Sequence, residues 1–349
     1  MDKTQFGFCL PIFAAPGARF FRTPNYAQLD VRKTFEMGVH ADALGYDSLW
    51  VADHLMLGRD EAIMEGWTTL AALAGATKRA RLGLIHQGHF FRNPALAAKM
   101  TTTLDHISGG RFVYFIDGGY GQREHAAYGV HYPATMEERM EEVVDGLQLT
   151  LALWGADKPL THQGKFFHVN EAVNMPLPVQ KPHPPVWFGE AHPSILAACA
   201  RYGNGWNTVP VGYGEVKRRL EALAEACAAE GRSIDELERS LETQILIAPD
   251  TAAVRATLQH IIDLEPTNGG KTFEELKSFL SGTTDELPQS VKDQWIIGTP
   301  DEVAAQVQSY INLGITHFLL WFMDAPDPVG LELFAREVAP RFQQGMSVR

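Results

Sequence analysis

Short apolar runs alternate with amphipathic helical patterns eight times along this chain. A strand covered on both faces reads as a continuous apolar run, and the helix that covers it shows an apolar stripe with a period of 3.6 residues. Eight such units predict a (β/α)₈ TIM barrel that occupies residues 1–349 as a single domain. The predicted strands are Gln5–Leu10, Ser48–Asp53, Arg81–His86, Phe112–Asp117, Pro185–Gly189, Gly205–Val209, Glu242–Ile247 and Thr316–Phe322.

Two segments interrupt this regular alternation. Residues 158–185 indicate a short hairpin and then a proline-rich crossing, because proline at this density excludes helix. Residues 250–294 form an insertion between the seventh and eighth strands, and insertions of this size in barrels are commonly lids or oligomer contacts. We expect this insertion to be a mobile lid, with Asn268-Gly269-Gly270 and Gly282 as its flexible points.

Composition narrows the class of protein. The 349 residues are 45% hydrophobic and 21% charged, as in globular enzymes. A net charge of -12 argues against nucleic acid or an anionic membrane as a partner, because both require a basic surface. The first residues lack the apolar core of a signal peptide, and three scattered cysteines suit neither a disulfide framework nor a zinc site. We therefore expect a cytoplasmic protein without a membrane span.

Polar or glycine-rich segments follow four of the predicted strands: Asp53-His54, His86-Gln87-Gly88-His89, Asp117-Gly118-Gly119-Tyr120 and Gly189-Glu190. Because the carboxyl ends of barrel strands open on one face, these segments are expected to meet at a single mouth. An active site at that mouth is the simplest interpretation.

His54 is the strongest catalytic candidate. Imidazole is the side chain that naturally titrates near neutral pH, and the preceding Asp53 offers it a possible carboxylate partner. A structural histidine bound to a loop carbonyl is the alternative. His86 and His89 have a spacing seen in metal sites, but no third ligand is in register, so no metal is predicted. A metal-dependent barrel hydrolase would need His-x-His at the end of the first strand, where this chain has Phe-Cys-Leu-Pro.

Two loops at the mouth have the composition of anion or cofactor sites. The segment Gly189–Ser194 leads from a strand into a helix, whose first N–H groups favour an anion, and Ser194 could add a hydroxyl donor. The glycine-rich segment Asp117–Gly121 permits close approach of a flat ring or a phosphate. It is not a dinucleotide fingerprint, because Glu124 stands at the third glycine position.

Seven stretches together carry a resemblance to a known family: Ser48–His54, Arg81–Leu84, Arg92–Lys99, Leu104–Arg111, Pro178–Gly189, Gly203–Trp206 and Ile297–Val303. Across nearly the whole chain the sequence resembles the bacterial-luciferase-like flavin-dependent oxidoreductases. The resemblance implies a two-component monooxygenase, in which reduced FMN from a separate flavin reductase reacts with oxygen and oxidises a small organic substrate. A deazaflavin-dependent hydride-transfer oxidoreductase and a non-catalytic flavin-binding protein are the alternatives.

The resemblance also implies roles for particular residues. Asp53 and His54 are the catalytic pair. The cofactor-binding set is His86, Gln87, Asp117, Gly118, Gly119, Tyr120, Arg139, Gly189, Glu190, Ala191 and Ser194. Apart from the resemblance, the candidate aromatic residues of a substrate pocket are His125, Trp295 and Trp321, and core packing is the alternative for each. Asp117 and Gly118 depart from luciferase, which has a cysteine and a phosphate-binding arginine there. Apolar stripes on the early helices, and the habit of the family, further predict a homodimer or homotetramer.

Overall fold

Eight parallel strands close into a barrel in this computed structural model, which describes residues 3–16, 24–119, 121–209, 211–265 and 270–343. The strands are β1 (Gln5–Cys9), β2 (Ser48–Val51), β3 (Arg81–Leu84), β4 (Phe112–Ile116), β5 (Leu160–Gln163), β6 (His168–Ala172), β7 (Val186–Gly189), β8 (Gly205–Thr208), β9 (Glu238–Ile247), β10 (Ile296–Gly298) and β11 (His317–Phe322). The barrel order is β1-β2-β3-β4-β7-β8-β9-β11, and β11 pairs again with β1. The predicted TIM barrel is confirmed.

Helices cover the outside of the barrel and continue into the insertion. They are α1 (Val31–Leu44), α2 (Gly66–Ala76), α3 (Pro94–Ser108), α4 (Gln122–Ala127), α5 (Met136–Gly155), α6 (Pro193–Tyr202), α7 (Tyr213–Ala229), α8 (Thr251–Leu264), α9 (Gly270–Leu280), α10 (Gln289–Lys292), α11 (Pro300–Asn312), α12 (Val329–Glu337) and α13 (Pro340–Gln343). Local signals set several of these ends. Asp30 caps α1 by accepting from the Lys33 amide, and Gly45 ends it with a φ of 97°.

Large aromatic side chains fill the barrel interior below the mouth. The indole rings of Trp50 and Trp187 lie 5.2 Å apart, and both are fully buried. Strand glycines make room for them, since a Cβ on Gly83 would lie 2.3 Å from the Trp50 ring and one on Gly205 would lie 2.4 Å from Trp187 Nε1. The barrel is therefore a packed core, and any ligand must bind above it.

The strands on either side of the insertion are more extensive than the sequence indicates. β9 begins at Glu238, four residues before the predicted start at Glu242, and pairs with β8 through residues 238–241. Its last residues, 245–247, pair with β10, a strand that the sequence pattern did not predict. The described helices of the insertion bury an apolar cluster of their own against this edge, which includes Leu258, Ile261, Leu276 and Phe279.

Candidate active site

A small chamber of about 30 Å³ opens among the carboxyl ends of β2, β3 and β4 and is flanked by α4. Its lining is polar and rich in imidazole: Asp53, His54, His86, Gly88, Phe91, Asp117, Gly119 and His125. Three of the four polar strand ends singled out in the sequence thus contribute side chains to one space. None of the lining residues comes from the insertion 250–294.

His54 is held by a carboxylate from α4. Its Nδ1 lies 2.7 Å from Glu124 Oε1, while Glu124 Oε2 accepts from the amides of Leu55 at 2.8 Å and Met56 at 3.3 Å. Burial alone would raise the pKa of Glu124, but the hydrogen bonds from His54 and the two amides lower it below its usual value. An ionised Glu124 keeps the proton of His54 on Nδ1 and leaves Nε2 as an acceptor.

Asp53 is not the partner of His54, and that part of the sequence prediction is wrong. The Asp53 carboxylate binds both terminal nitrogens of Arg92, at 2.6 and 2.9 Å, and accepts from the Gly88 amide at 2.8 Å. The side chains of successive residues in an extended chain point to opposite sides, so the side chains of Asp53 and His54 do not face each other. Burial raises the pKa of Asp53 even though Arg92 opposes that effect. Asp53 therefore anchors the loop after β3.

His86 and Asp117 form a second imidazole–carboxylate pair in the chamber. His86 Nδ1 lies 2.6 Å from Asp117 Oδ2, and Asp117 Oδ1 accepts from the Gly119 amide at 2.7 Å. Burial would lower the pKa of His86, but Asp117, and also Glu242 and Glu190, raise it above its usual value. The pair therefore favours an imidazolium beside a carboxylate.

A polar network continues from His86 into the barrel. Asn207 Nδ2 lies 3.5 Å from both His86 Nε2 and Glu242 Oε2, and Asn207 Oδ1 accepts from Ser240 at 2.7 Å. Glu242 Oε1 accepts from the Trp321 indole at 2.7 Å. Trp321, predicted as a pocket aromatic, is thus buried in this network and is not part of the chamber lining.

Four further predicted residues lie away from the chamber. Gln87 Nε2 donates to Tyr114 Oη at 3.0 Å, and the Tyr114 ring packs on Trp154 of α5. A Cβ on Gly118 would lie 2.2 Å from Met136 Sδ, so this glycine serves helix packing. Arg139 donates to the carbonyls of residues 133 and 134 and so closes the loop before α5. The remaining one is Trp295, which is buried in the apolar cluster of the insertion.

The turn between β7 and α6 joins the barrel network to a helix start. Glu190 has a φ of 74° and pairs with Arg219 at 3.1 Å, and Trp206 Nε1 donates to its carbonyl at 2.7 Å. His192 Nδ1 accepts from the Ser194 amide at 3.3 Å and so caps α6. Ala191 lies between them, half-buried, and Gly189 packs against His86. The first N–H groups of α6 are already used, because Ser194 donates to the His192 ring, and Ile195 and Leu196 donate to the His192 carbonyl. Arg219 balances the charge of Glu190.

Some predictions concern residues outside the described ranges, and others concern a metal site or a membrane span. Tyr120 and the segment 268–269 lie outside these ranges. Within the described ranges, no three His, Cys, Asp or Glu side chains are grouped so that they could hold a metal ion. In the same ranges, no helix has both the length and the apolar character for crossing a membrane.

The sequence profile described as luciferase-like monooxygenase matches residues 6–317. The chain therefore belongs to the luciferase-like oxidoreductase family. Among curated relatives, an F420-dependent glucose-6-phosphate dehydrogenase from Kineococcus radiotolerans is 28% identical over 88% of this chain and 92% of its own length. A phthiodiolone/phenolphthiodiolone dimycocerosates ketoreductase from Mycobacterium kansasii is 28% identical over 81% of this chain and 88% of its own.

Solved structures with the same fold carry diverse activities. An F420-dependent secondary alcohol dehydrogenase aligns over 98% of this chain and 100% of its own, with a TM-score of 0.74 and 21% identity. A long-chain alkane monooxygenase aligns over 98% and 92%, with a TM-score of 0.77 and 15% identity. At these identities the likeness supports the barrel and not a particular reaction.

Proposed function

We propose that this protein is a deazaflavin-dependent oxidoreductase that transfers a hydride between the coenzyme F420 and a small alcohol or carbonyl compound. The observation that carries the proposal is the placement of His54 in the mouth chamber, with Nδ1 held by Glu124 and Nε2 left as an acceptor. We choose F420 as the cofactor because the names of the curated relatives state F420 dependence. It takes the place of reduced FMN, which the sequence resemblance led us to expect first.

The residues at the mouth fit such a cofactor. His54, His86 and His125 supply nitrogen atoms along one chamber, and His125 Nε2 is buried without a hydrogen-bond partner among the described residues. For the phosphate of the cofactor, the start of α6 offers the Ser194 hydroxyl, which makes no hydrogen bond within the described chain. Arg219 neutralises Glu190, which would otherwise repel an anion there.

A bound deazaflavin supplies hydride transfer, the part of the reaction that no side chain can perform. His54 Nε2 then takes the proton from the substrate hydroxyl as the carbon–hydrogen bond gives up its electron pair, and a carbonyl forms. Glu124 stabilises the imidazolium that results, because its carboxylate already holds Nδ1–H. In the direction of carbonyl reduction, the same imidazolium returns the proton to oxygen.

Cofactor titration tests this proposal directly. Purified protein is titrated with F420 and, in parallel, with reduced and oxidised FMN, and turnover is followed by the absorbance of F420 with a panel of small alcohols and ketones. We expect F420 to bind at least tenfold more tightly than either form of FMN and to be reduced by an alcohol without oxygen. Tighter binding of reduced FMN, with oxygen consumed in the presence of a flavin reductase, would instead establish the monooxygenase.

Variants separate binding from chemistry. His54→Ala should bind F420 within a few-fold of the native protein but lose about 10²- to 10⁴-fold in turnover, because it removes the proton acceptor. Glu124→Gln should lower kcat without weakening cofactor binding. Ser194→Ala should do the reverse and weaken cofactor binding by about 1 kcal/mol, which is the contribution of one hydrogen bond. A His54→Ala protein with near-native turnover would contradict the assigned role.

A further inference from the structure

The chamber beside His54 is small enough to select substrates by size. Its volume is about 30 Å³, and a cavity needs about 10–15 Å³ to hold one water. The chamber therefore has room for about two waters, which is also the room that one methyl group needs. A longer alkyl group would have to push its walls apart, so the rigidity of those walls decides what enters.

Two stacked rings, Phe91 and His125, form one wall of the chamber. Their centroids lie 4.3 Å apart, and Tyr132 packs on the other face of His125 at 4.4 Å. Phe91 rests on the backbone of Gly88, where a Cβ would lie 2.3 Å from the ring. At the far end, the Tyr132 hydroxyl donates to the Gly119 carbonyl at 3.0 Å. The stack is therefore fixed at both ends, and His125, which is 1% exposed, is fixed between them.

The other two imidazoles of the chamber are held by carboxylates. The Nδ1 of His54 lies 2.7 Å from Glu124, and the Nδ1 of His86 lies 2.6 Å from Asp117. The His86 ring also packs edge-on against Phe115, with 4.4 Å between centroids. Adding even one methylene to a closely packed space forces side chains out of their preferred rotamers. An ethyl group is therefore excluded where a methyl group fits.

We propose that Phe91 and His125 determine substrate specificity by size, so that the reacting carbon carries a hydrogen or a methyl group on the side that faces them. The inference rests on the proposed hydride-transfer function and adds a substrate class to it: primary alcohols and methyl carbinols, with the corresponding aldehydes and methyl ketones. The side chain of His54 is 32% exposed, so the second substituent extends towards solvent and is not limited by this wall.

Two secondary alcohols that differ by one methylene test this limit. Butan-2-ol has a methyl and an ethyl group on the reacting carbon, whereas pentan-3-ol has two ethyl groups. With F420, the native protein should favour butan-2-ol by about 10- to 100-fold in kcat/KM, the range expected for one methylene in a fixed pocket. In Phe91→Ala and in His125→Ala, each of which removes part of the wall, the preference should fall to about threefold or less.

The comparison of the two alcohols separates a steric wall from a merely structural role. A variant that only loosens the fold lowers kcat/KM for both alcohols alike and leaves their ratio unchanged. Phe166→Ala, the same truncation at a ring that is 39% exposed in the β5–β6 hairpin, is the matched control and should retain the preference. Because Phe91→Ala and His125→Ala open the wall independently, either one decides the question if the other fails to fold.

A binding measurement does not depend on turnover or on the cofactor. In protein labelled with ¹⁵N-histidine, butan-2-ol should shift the resonance of His54 Nε2, and pentan-3-ol should shift it only in Phe91→Ala or His125→Ala. Equal kcat/KM for the two alcohols in the native protein, or a preference that persists in both variants, would overturn the inference. If no alcohol is oxidised with F420, the proposed function has failed, and the size limit then stands or falls on whether the nitrogen shift distinguishes the two alcohols.

Discussion

Mild acid should destabilise this protein through one buried histidine, His89. The residue follows β3 and is 4% exposed, its ring lies edge-on to Phe90 and Phe167, and a Cβ on Gly146 would lie 2.5 Å from its Cε1. Its Nε2 has no hydrogen-bond partner in the part of the chain that the structure describes. Because burial penalises the charged form, the pKa of His89 falls from 6.5 to about 4.

The sign and size of the effect follow from this shift. The unfolded chain takes up a proton near pH 6.5, whereas the folded protein resists it until about pH 4. The stabilisation is therefore complete above pH 6.5 and is lost as the pH falls towards 4. Between about pH 7.5 and about pH 5, His89 alone should lower the free energy of unfolding by about 2 kcal/mol.

Urea unfolding at the two pH values measures this effect. Other groups also titrate in this range, so the informative quantity is the difference between the native protein and His89→Gln, which cannot be protonated. We expect the native protein to lose about 2 kcal/mol more than His89→Gln between the two conditions. His168→Gln, at an exposed histidine in the β5–β6 hairpin, should behave like the native protein. An equal loss in His89→Gln would refute the assignment.

Three further predictions concern stability, assembly and the insertion. Asp53→Asn should lower the free energy of unfolding by about 3 kcal/mol, because it breaks the buried ion pair with Arg92. Urea unfolding measures this loss, and a value below about 1 kcal/mol would contradict the prediction. We propose that the apolar face of α3, where Leu96 is 55% and Ile107 52% exposed, joins two copies of the chain. Light scattering at micromolar concentration should then give a dimer or tetramer mass, and glutamate at both positions should give a monomer. The insertion 250–294 remains our predicted lid, and limited proteolysis there should slow when cofactor and substrate are both bound.

Local patterns were sufficient to predict the framework of this protein. Hydrophobic periodicity placed the barrel strands close to their observed bounds, for example β2 at Ser48–Val51 against a prediction of Ser48–Asp53. The cap at Asp30 and the glycine at Gly45 set the ends of α1. These features depend on residues within one helical turn or one strand, so they are encoded next to one another in the chain.

Which polar side chains pair with each other at the mouth was decided only by the tertiary structure. Glu124, 70 residues from His54 in sequence, holds its imidazole, while the adjacent Asp53 turns to Arg92, 39 residues away. Trp295 carries no local signal that distinguishes a pocket from a core, and the packing of the insertion buries it in the second apolar cluster. A sequence pattern shows which side of a strand or helix is buried, but the partner of a polar group depends on how distant elements pack together, and that is settled only when the barrel closes.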